Sequence, residues 1–224
     1  MKKAVILLSG GLDSATTLFW AKNKGYKAHC LIFNYGQRHK REIGSAVKIA
    51  KAAKSEFQII RISLPWKGSS LLDNKINIPV AKMVTGSVVN RGIPNTYVPA
   101  RNTIFLSFAL SYAEAIGAGS IFIGANAVDF SGYPDCRPGY YRIFNRLAKA
   151  ATKKGVAGAS IEIVTPLIRK TKADIVRTAV RLRVPLGLTW SCYKGGKKPC
   201  GRCDSCLLRK KGFSALQMED PAYD

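Results

Sequence analysis

Six consecutive residues near the N-terminus, Ser9-Gly10-Gly11-Leu12-Asp13-Ser14, combine the residue types of an anion-binding turn. They follow the apolar run at residues 4–8, of the kind buried on both faces of a parallel sheet. A helical pattern follows them. Two glycines let the backbone approach a phosphate closely. The helix start presents unpaired N–H groups and the positive end of its dipole. Ser9 and Ser14 add hydroxyl donors, and Asp13 would either cap the helix or hold a Mg²⁺ bound to phosphate. The loop is neither a Walker loop nor G-x-G-x-x-G, because neither spacing is present. A bare Gly-Gly pair would fit an ordinary tight turn equally well; the whole hexapeptide behind a buried strand favours phosphate.

A second constellation lies near the other end. Cys192, Cys200, Cys203 and Cys206 place four thiols within fifteen residues, and Gly195, Gly196, Pro199 and Gly201 let that segment fold tightly. Four sulfurs suit zinc in a closed tetrahedral site. An iron–sulfur cluster takes four cysteines too, and Cys203/Cys206 has the spacing of a redox pair. The closed structural zinc knuckle is the expectation, with Lys194, Lys197, Lys198, Arg202 and Arg209 offsetting the thiolate charge.

These residues need a scaffold. Strands are expected at residues 4–8, 29–33, 57–62, 121–123 and 161–164. Helices are expected at 13–24, 39–54, 102–116, 141–153 and 171–183. The 102–116 helix is apolar on most sides and reads as buried. Thr171 with Asp174 makes a capping-box start for the last helix. Residues 65–100, punctuated by Pro and Gly, read as a long loop or lid, and 129–139 as a second irregular segment. Alternating strands and helices predict an α/β fold: a five-stranded parallel sheet with helices on both faces and ligands at the strands' carboxyl ends. The length, 224 residues, suits a single domain spanning 1–224.

An apolar share of 47% excludes a disordered chain, and no stretch reaches the length of a membrane span. The N-terminal apolar run is too short for a signal peptide, so a cytoplasmic protein is expected. Lys plus Arg total 36 against 13 acids, a net charge of +23. The cations are scattered along the chain and no RRM or KH signature accompanies them, so direct nucleic-acid binding is not expected.

The hexapeptide resembles the S-G-G-x-D-S signature of the PP-loop ATP pyrophosphatases. Three further stretches narrow the likeness: Phe33-Asn34-Tyr35-Gly36-Gln37-Arg38-His39, Tyr97-Val98-Pro99-Ala100-Arg101-Asn102, and the run from Gly124 through Asp129-Phe130-Ser131-Gly132-Tyr133-Pro134-Asp135-Cys136-Arg137. With the cysteine spacing, they resemble the 7-cyano-7-deazaguanine synthase family from Lys3 to about Gly212. That resemblance implies a Rossmann-type (HUP-like) fold and an AMP- and pyrophosphate-forming ligase of queuosine or archaeosine precursor synthesis. Such an enzyme adenylates 7-carboxy-7-deazaguanine, converts it to the amide with ammonia, and adenylates again to leave the nitrile.

The resemblance also implies roles. Leu8, Ser9, Gly10, Gly11, Leu12, Asp13, Ser14, Ala15, Thr16, Thr17 and Leu18 would surround ATP. Asp13, Lys172 and Arg101 would be catalytic, with Mg²⁺ accompanying ATP. Arg38, His39, Asn102, Asp129, Tyr133 and Asp135 would meet the substrate, while Cys136 would line the pocket. Duller roles exist for His39 (a helix-surface pair), Asp135 (a turn cap) and Lys172 (a solvated first-turn residue). Family members usually carry an acidic residue where Pro138-Gly139 leads into Tyr140, and this chain does not. A homodimer is implied, with ammonia arriving free or from a partner, since no glutaminase region is visible. The competing readings are a PP-loop enzyme that thiolates tRNA or makes lysidine, and a zinc-stabilised RNA-binding module whose loop no longer works.

Overall fold

The computed structural model describes residues 1–80, 83–84, 87–88, 92–128 and 132–223. Its centre is β1 (Lys3–Leu7), flanked on one side by β2 (Lys27–Asn34) and β3 (Glu56–Arg61), and on the other by β6 (Ser120–Ile123) and β7 (Glu162–Val164). The order is β3-β2-β1-β6-β7, and every neighbouring pair is parallel. A two-stranded antiparallel ladder, β4 (Met83–Val84) with β5 (Ser87–Val88), lies within the segment expected to be a loop.

Because side chains alternate along a strand, β1 feeds two cores. Ala4 and Ile6 face a layer that includes Leu18 of α1 (Leu12–Asn23), Ile49 of α2 (Arg41–Ala52), Val176 of α6 (Lys172–Arg181) and Phe213 of α7 (Asp204–Ser214). Val5 and Leu7 face the opposite layer, with Leu106 of α3 (Arg101–Ala115) and Phe144 of α4 (Pro138–Ala151). The chain runs outward from β1 to β3, then crosses to β6 on β1's other side. The crossing leaves a crevice at the carboxyl ends of β1 and β6, where ligands bind in such sheets.

The five expected strands and the alternation are all present. Four details differ. α3 is not buried all round: Ser107, Phe108 and Ser111 face solvent, with Phe108 42% exposed, because only the Leu106/Ala109/Leu110/Ala113 side meets the sheet. The helix expected at 141–153 begins earlier, with Pro138 in its first turn, and breaks at Thr152. Thr152 then caps the short α5 (Lys153–Val156) by accepting from the Gly155 N–H. α7 was not expected at all. Among the described residues, no helix is long and apolar enough to cross a membrane.

Candidate active site

The six-residue loop is held open by its own hydroxyls. The Ser9 and Ser14 hydroxyls lie 2.9 Å apart, Ser14 Oγ donates to the Gly11 carbonyl, and the Ser9 N–H donates to Ser14 Oγ. Gly10 has φ +86°, and a Cβ there would stand 2.2 Å from the Glu42 carbonyl oxygen. Only glycine lets α2 close on the loop. Gly124 plays the same part on the other flank, where a Cβ would fall 2.8 Å from the Asp13 carbonyl carbon and the Ser14 nitrogen. Gly11 is the N-cap of α1 without a side-chain cap, so the first N–H groups of that helix remain available to an anion.

A cavity of about 300 Å³ opens above the loop. Leu8, Ser9, Gly11, Leu12, Asp13 and Ser14 line it; Gly10 does not, and neither do Ala15, Thr16, Thr17 and Leu18. Those four are buried in α1, where the Thr16 and Thr17 hydroxyls return to the Leu12 and Asp13 carbonyls. They support the loop from beneath. Asp13 does not cap the helix. Its Oδ2 takes a 2.5 Å hydrogen bond from Lys172 Nζ, across the cavity floor from the start of α6. The Thr171–Asp174 capping box is present, with both reciprocal bonds, and it fixes the turn that carries Lys172. α7 closes in behind it, because a Cβ on Gly212 would touch the Lys172 backbone at 3.0 Å.

On the opposite wall, Arg101 donates to the Tyr35 hydroxyl at 3.1 Å and lies over the Tyr35 and Phe105 rings. Burial works against its charge, but Tyr35, Tyr133 and Glu42 outweigh that and hold it ionised. Burial also pushes the Tyr35 phenol up to about 12. Asp135 does not line the cavity. Its Oδ2 accepts from the Asn102 N–H at 3.0 Å, which caps α3 where left-handed Ala100 offers no side-chain cap. Asn102 itself reaches the Asp135 carbonyl and Cys136 Sγ, and both Asn102 and Cys136 line the cavity. Burial raises the Cys136 thiol to about 11, so it stays protonated and weakly nucleophilic. Tyr133 lines the cavity and donates to Thr96 at 2.7 Å. Arg38 and His39 line it as well, Arg38 reaching the Ile76 carbonyl and His39 packing on Gly195, with burial lowering the His39 pKa. Asp129 lies outside the described residues.

Among the lining residues that escaped the sequence reading are Glu42, Trp190 and Tyr193. Glu42 accepts from Gln37 Nε2 at 3.0 Å, and burial raises its pKa against the opposing pull of Arg101. Its signal was present in Arg38-His39 followed by Glu42 at a helix start. Trp190 and Tyr193 carry no such signal. They arrive through the cysteine segment, where the Trp190 N–H donates to the Gly10 carbonyl at 2.8 Å and its indole N–H to the Cys192 carbonyl.

The four cysteine sulfurs lie within 4.8 Å of one another. The Cys200–Cys206 separation of 3.9 Å is close to the edge of about 3.8 Å that Zn–S bonds near 2.3 Å require. Backbone N–H groups of Lys194 and Cys200 donate to Cys192 Sγ, and that of Arg202 to Cys200 Sγ. The set therefore fits a metal ion. Arg209 does not serve it as a counter-charge. It is buried and gripped by both Asp220 oxygens, with further bonds to Thr189, Ser191 and the Leu186 carbonyl.

A parallel sheet with a glycine-rich phosphate loop at its switch point, faced by an acid–lysine pair and a buried arginine, defines a PP-loop nucleotide enzyme. Residues 3–217 match the family described as Queuosine biosynthesis protein QueC, and the chain belongs to that family. It is 50% identical over 98% of its length to a 7-cyano-7-deazaguanine synthase of Thermoplasma acidophilum, 91% of which is covered. It is 52% identical over 99% of its length to the synthase of Prochlorococcus marinus, 98% of which is covered. Among solved structures it resembles the NMN synthetase of Francisella tularensis, with a TM-score of 0.51 at 14% identity, covering 97% of this chain and 78% of that one. At that identity the likeness is one of fold.

Proposed function

We propose that this chain is a 7-cyano-7-deazaguanine synthase, turning 7-carboxy-7-deazaguanine, ATP and ammonia into the nitrile with release of AMP and pyrophosphate. The observation that carries the reading is near-full-length identity of about half to curated synthases. The geometry supplies a consistent course. ATP phosphates rest on the free N–H groups of the loop and α1, with Ser9 and Ser14 donating. Lys172 faces the α-phosphate and steadies the charge that builds there when the substrate carboxylate attacks. Asp13 would hold Mg²⁺, which supplies charge neutralisation on the phosphates when bound.

Arg101, ionised at the start of α3, holds the anionic group. Asn102, Tyr133, Arg38, His39 and Asp129 form the base pocket, and Asp135 acts through Asn102 by fixing the start of α3. Ammonia's lone pair forms the C–N bond to the adenylated carboxyl carbon, and the C–O bond to AMP breaks with its electron pair leaving on AMP. A second ATP adenylates the amide oxygen. Loss of two protons from nitrogen and of AMP then leaves C≡N.

Cys192, Cys200, Cys203 and Cys206 would hold a zinc ion, which supplies a closed structural crosslink rather than chemistry. Holding those four cysteines together would keep Trp190 and Tyr193 against the cavity. The chain is taken to work in the cytoplasm as a homodimer of single-domain subunits.

Mass spectrometry of the protein with 7-carboxy-7-deazaguanine, Mg-ATP and ammonium tests this. Nitrile, AMP and pyrophosphate are expected. Persistence of the acid, with AMP released only when tRNA is added, would replace the reading with RNA modification.

A further inference from the structure

The chemistry proposed above takes place in one cavity and gives no use for a net charge of +23. Charge of that size destabilises a compact chain by self-repulsion and attracts polyanions. Several of the 13 acids, moreover, already have partners. Asp13 is matched to Lys172, Asp220 to Arg209 and Asp174 to Arg177, while Asp135 caps α3. Each of those three ion pairs is neutral, so the whole excess of cations is carried by the rest of the molecule.

The cations that look scattered in sequence have one clear concentration in the fold. From residue 136 to residue 161 there is no Asp or Glu, and this stretch forms α4 and α5. α4 buries Tyr141, Phe144 and Ala148. Its outer side carries Arg142, Arg146 and Lys149, all exposed, at the i, i+4, i+7 spacing that aligns them over about 10 Å of helix. Lys153 continues the row in α5, also exposed. No hydrogen bond or ion pair ties up the side chains of these four among the described residues. Beyond them, Lys154 Nζ approaches Gly119, and Lys3 Nζ donates to the Ile116 carbonyl of the same turn. The acids nearest this face are Glu114, which accepts from the Lys154 N–H, and Glu162 at the start of β7. Three large exposed apolar side chains lie on these two helices: Ile143, 66% exposed, Leu147, 47% exposed, and Val156, 80% exposed.

We propose that the outer face of α4 and α5 is a docking surface for RNA, gripping consecutive phosphates with Arg142, Arg146, Lys149 and Lys153. Phosphate contacts of this type position a nucleic acid without reading its sequence. Ile143 and Leu147 give sugars and base faces an apolar rest. They are too few for a membrane-lying helix, which needs a broad apolar face. A second copy of the chain is disfavoured here by like charge. None of the four cations lines the cavity, so the surface binds independently of catalysis.

Fluorescence anisotropy with a short labelled RNA hairpin tests the proposal, with potassium chloride titrated in. Binding at low salt is expected, with log affinity falling against log salt at a slope of about −2 to −4, the value for three or four phosphates. The variant Arg142→Glu/Arg146→Glu/Lys149→Glu should bind at least about tenfold more weakly while its AMP release stays at the parent's rate. The corresponding triple alanine variant, milder for folding, should show a smaller loss in the same direction. No binding at low salt, a slope near zero, or undiminished binding by both variants would overturn the proposal. So would tighter binding to polyglutamate, or to vesicles of phosphatidylcholine and phosphatidylserine, than to the hairpin.

Discussion

Asp13 and Lys172 are 159 positions apart and meet at 2.5 Å, and each has a role the other makes possible. In the proposed mechanism the lysine would neutralise the aspartate until a nucleotide and its cation arrive, and would then turn to the phosphate. Asp13→Asn and Lys172→Met should each lower AMP release by about a hundredfold or more, with melting temperatures close to the parent's, because both side chains border open space. Loss of fold in place of loss of turnover would remove them from the chemistry. Glycine 124 belongs to the same scale. Gly124→Ala puts a methyl 2.8 Å from backbone atoms of Asp13 and Ser14, and backbone cannot rotate away. The expected result is a higher KM for ATP and a lower melting temperature together.

Glu42 gives a pH signature. Burial raises its pKa above the ordinary 4.5. Below 4.5 both folded and unfolded chains keep the proton, and stability is undiminished. As pH rises past that value the unfolded chain ionises first, so folding loses stability until the folded carboxyl ionises too. Glu42→Gln cannot ionise. Thermal melts should show its advantage over the parent near zero in acid and widening toward neutrality, and a pH-independent difference would contradict the assignment.

Among the elements, the segment from Leu186 to Ser214 carries the strongest dependence on single contacts. Arg209 and Asp220 have side chains only 4% and 8% exposed, and the guanidinium spends its donors on Asp220, Thr189, Ser191 and the Leu186 carbonyl. Asp220→Ala leaves that charge buried and unpaired, which costs about 3–5 kcal/mol; chemical denaturation measures it. A metal chelator that strips the cysteine site, or Cys203→Ser, should release Trp190 from Gly10 and raise the KM for ATP before the parallel sheet melts. Elemental analysis of the untreated protein should find one metal ion per chain.

β1, β2 and β6 were legible because doubly buried parallel strands are short apolar runs. Phosphate-loop and cysteine spacings are local, so they too could be read directly. α7 was hidden because Cys203, Cys206, Gly212 and the five charged or polar residues between Cys203 and Gly212 erase any helical apolar stripe. α3 looked buried because Phe105, Phe108 and Tyr112 form an apolar strip beside the Leu106, Ala109, Leu110 and Ala113 strip, and only packing reveals which of the two meets the sheet. The hydrogen bond from the Asn102 N–H to Asp135 was illegible for a related reason: its two ends are 33 residues apart. Glu42, Trp190 and Tyr193 reach the cavity only after distant segments close on one another.

At the scale of the molecule, the implied dimer and the basic face make separable demands. Sedimentation should show a two-subunit species whose mass does not change between low and high salt, since like charges on α4 and α5 keep that face out of a self-interface. RNA, if present, should add to this species without dissociating it.

The hydrogen bond from the Trp190 N–H to the Gly10 carbonyl has a consequence in time. The loop that would receive ATP leaves the ribosome well before Trp190, Ser191, Tyr193, Ser205 and Leu208, which form part of the cavity wall. A nascent chain can pair β1 with β2 and β3 early, but joining Gly10 to Trp190 closes a loop of about 180 residues, among the slowest kinds of contact to form. The chain should therefore pass through synthesis with its sheet largely assembled and no affinity for nucleotide, and acquire that affinity in one late step when the cysteine segment docks.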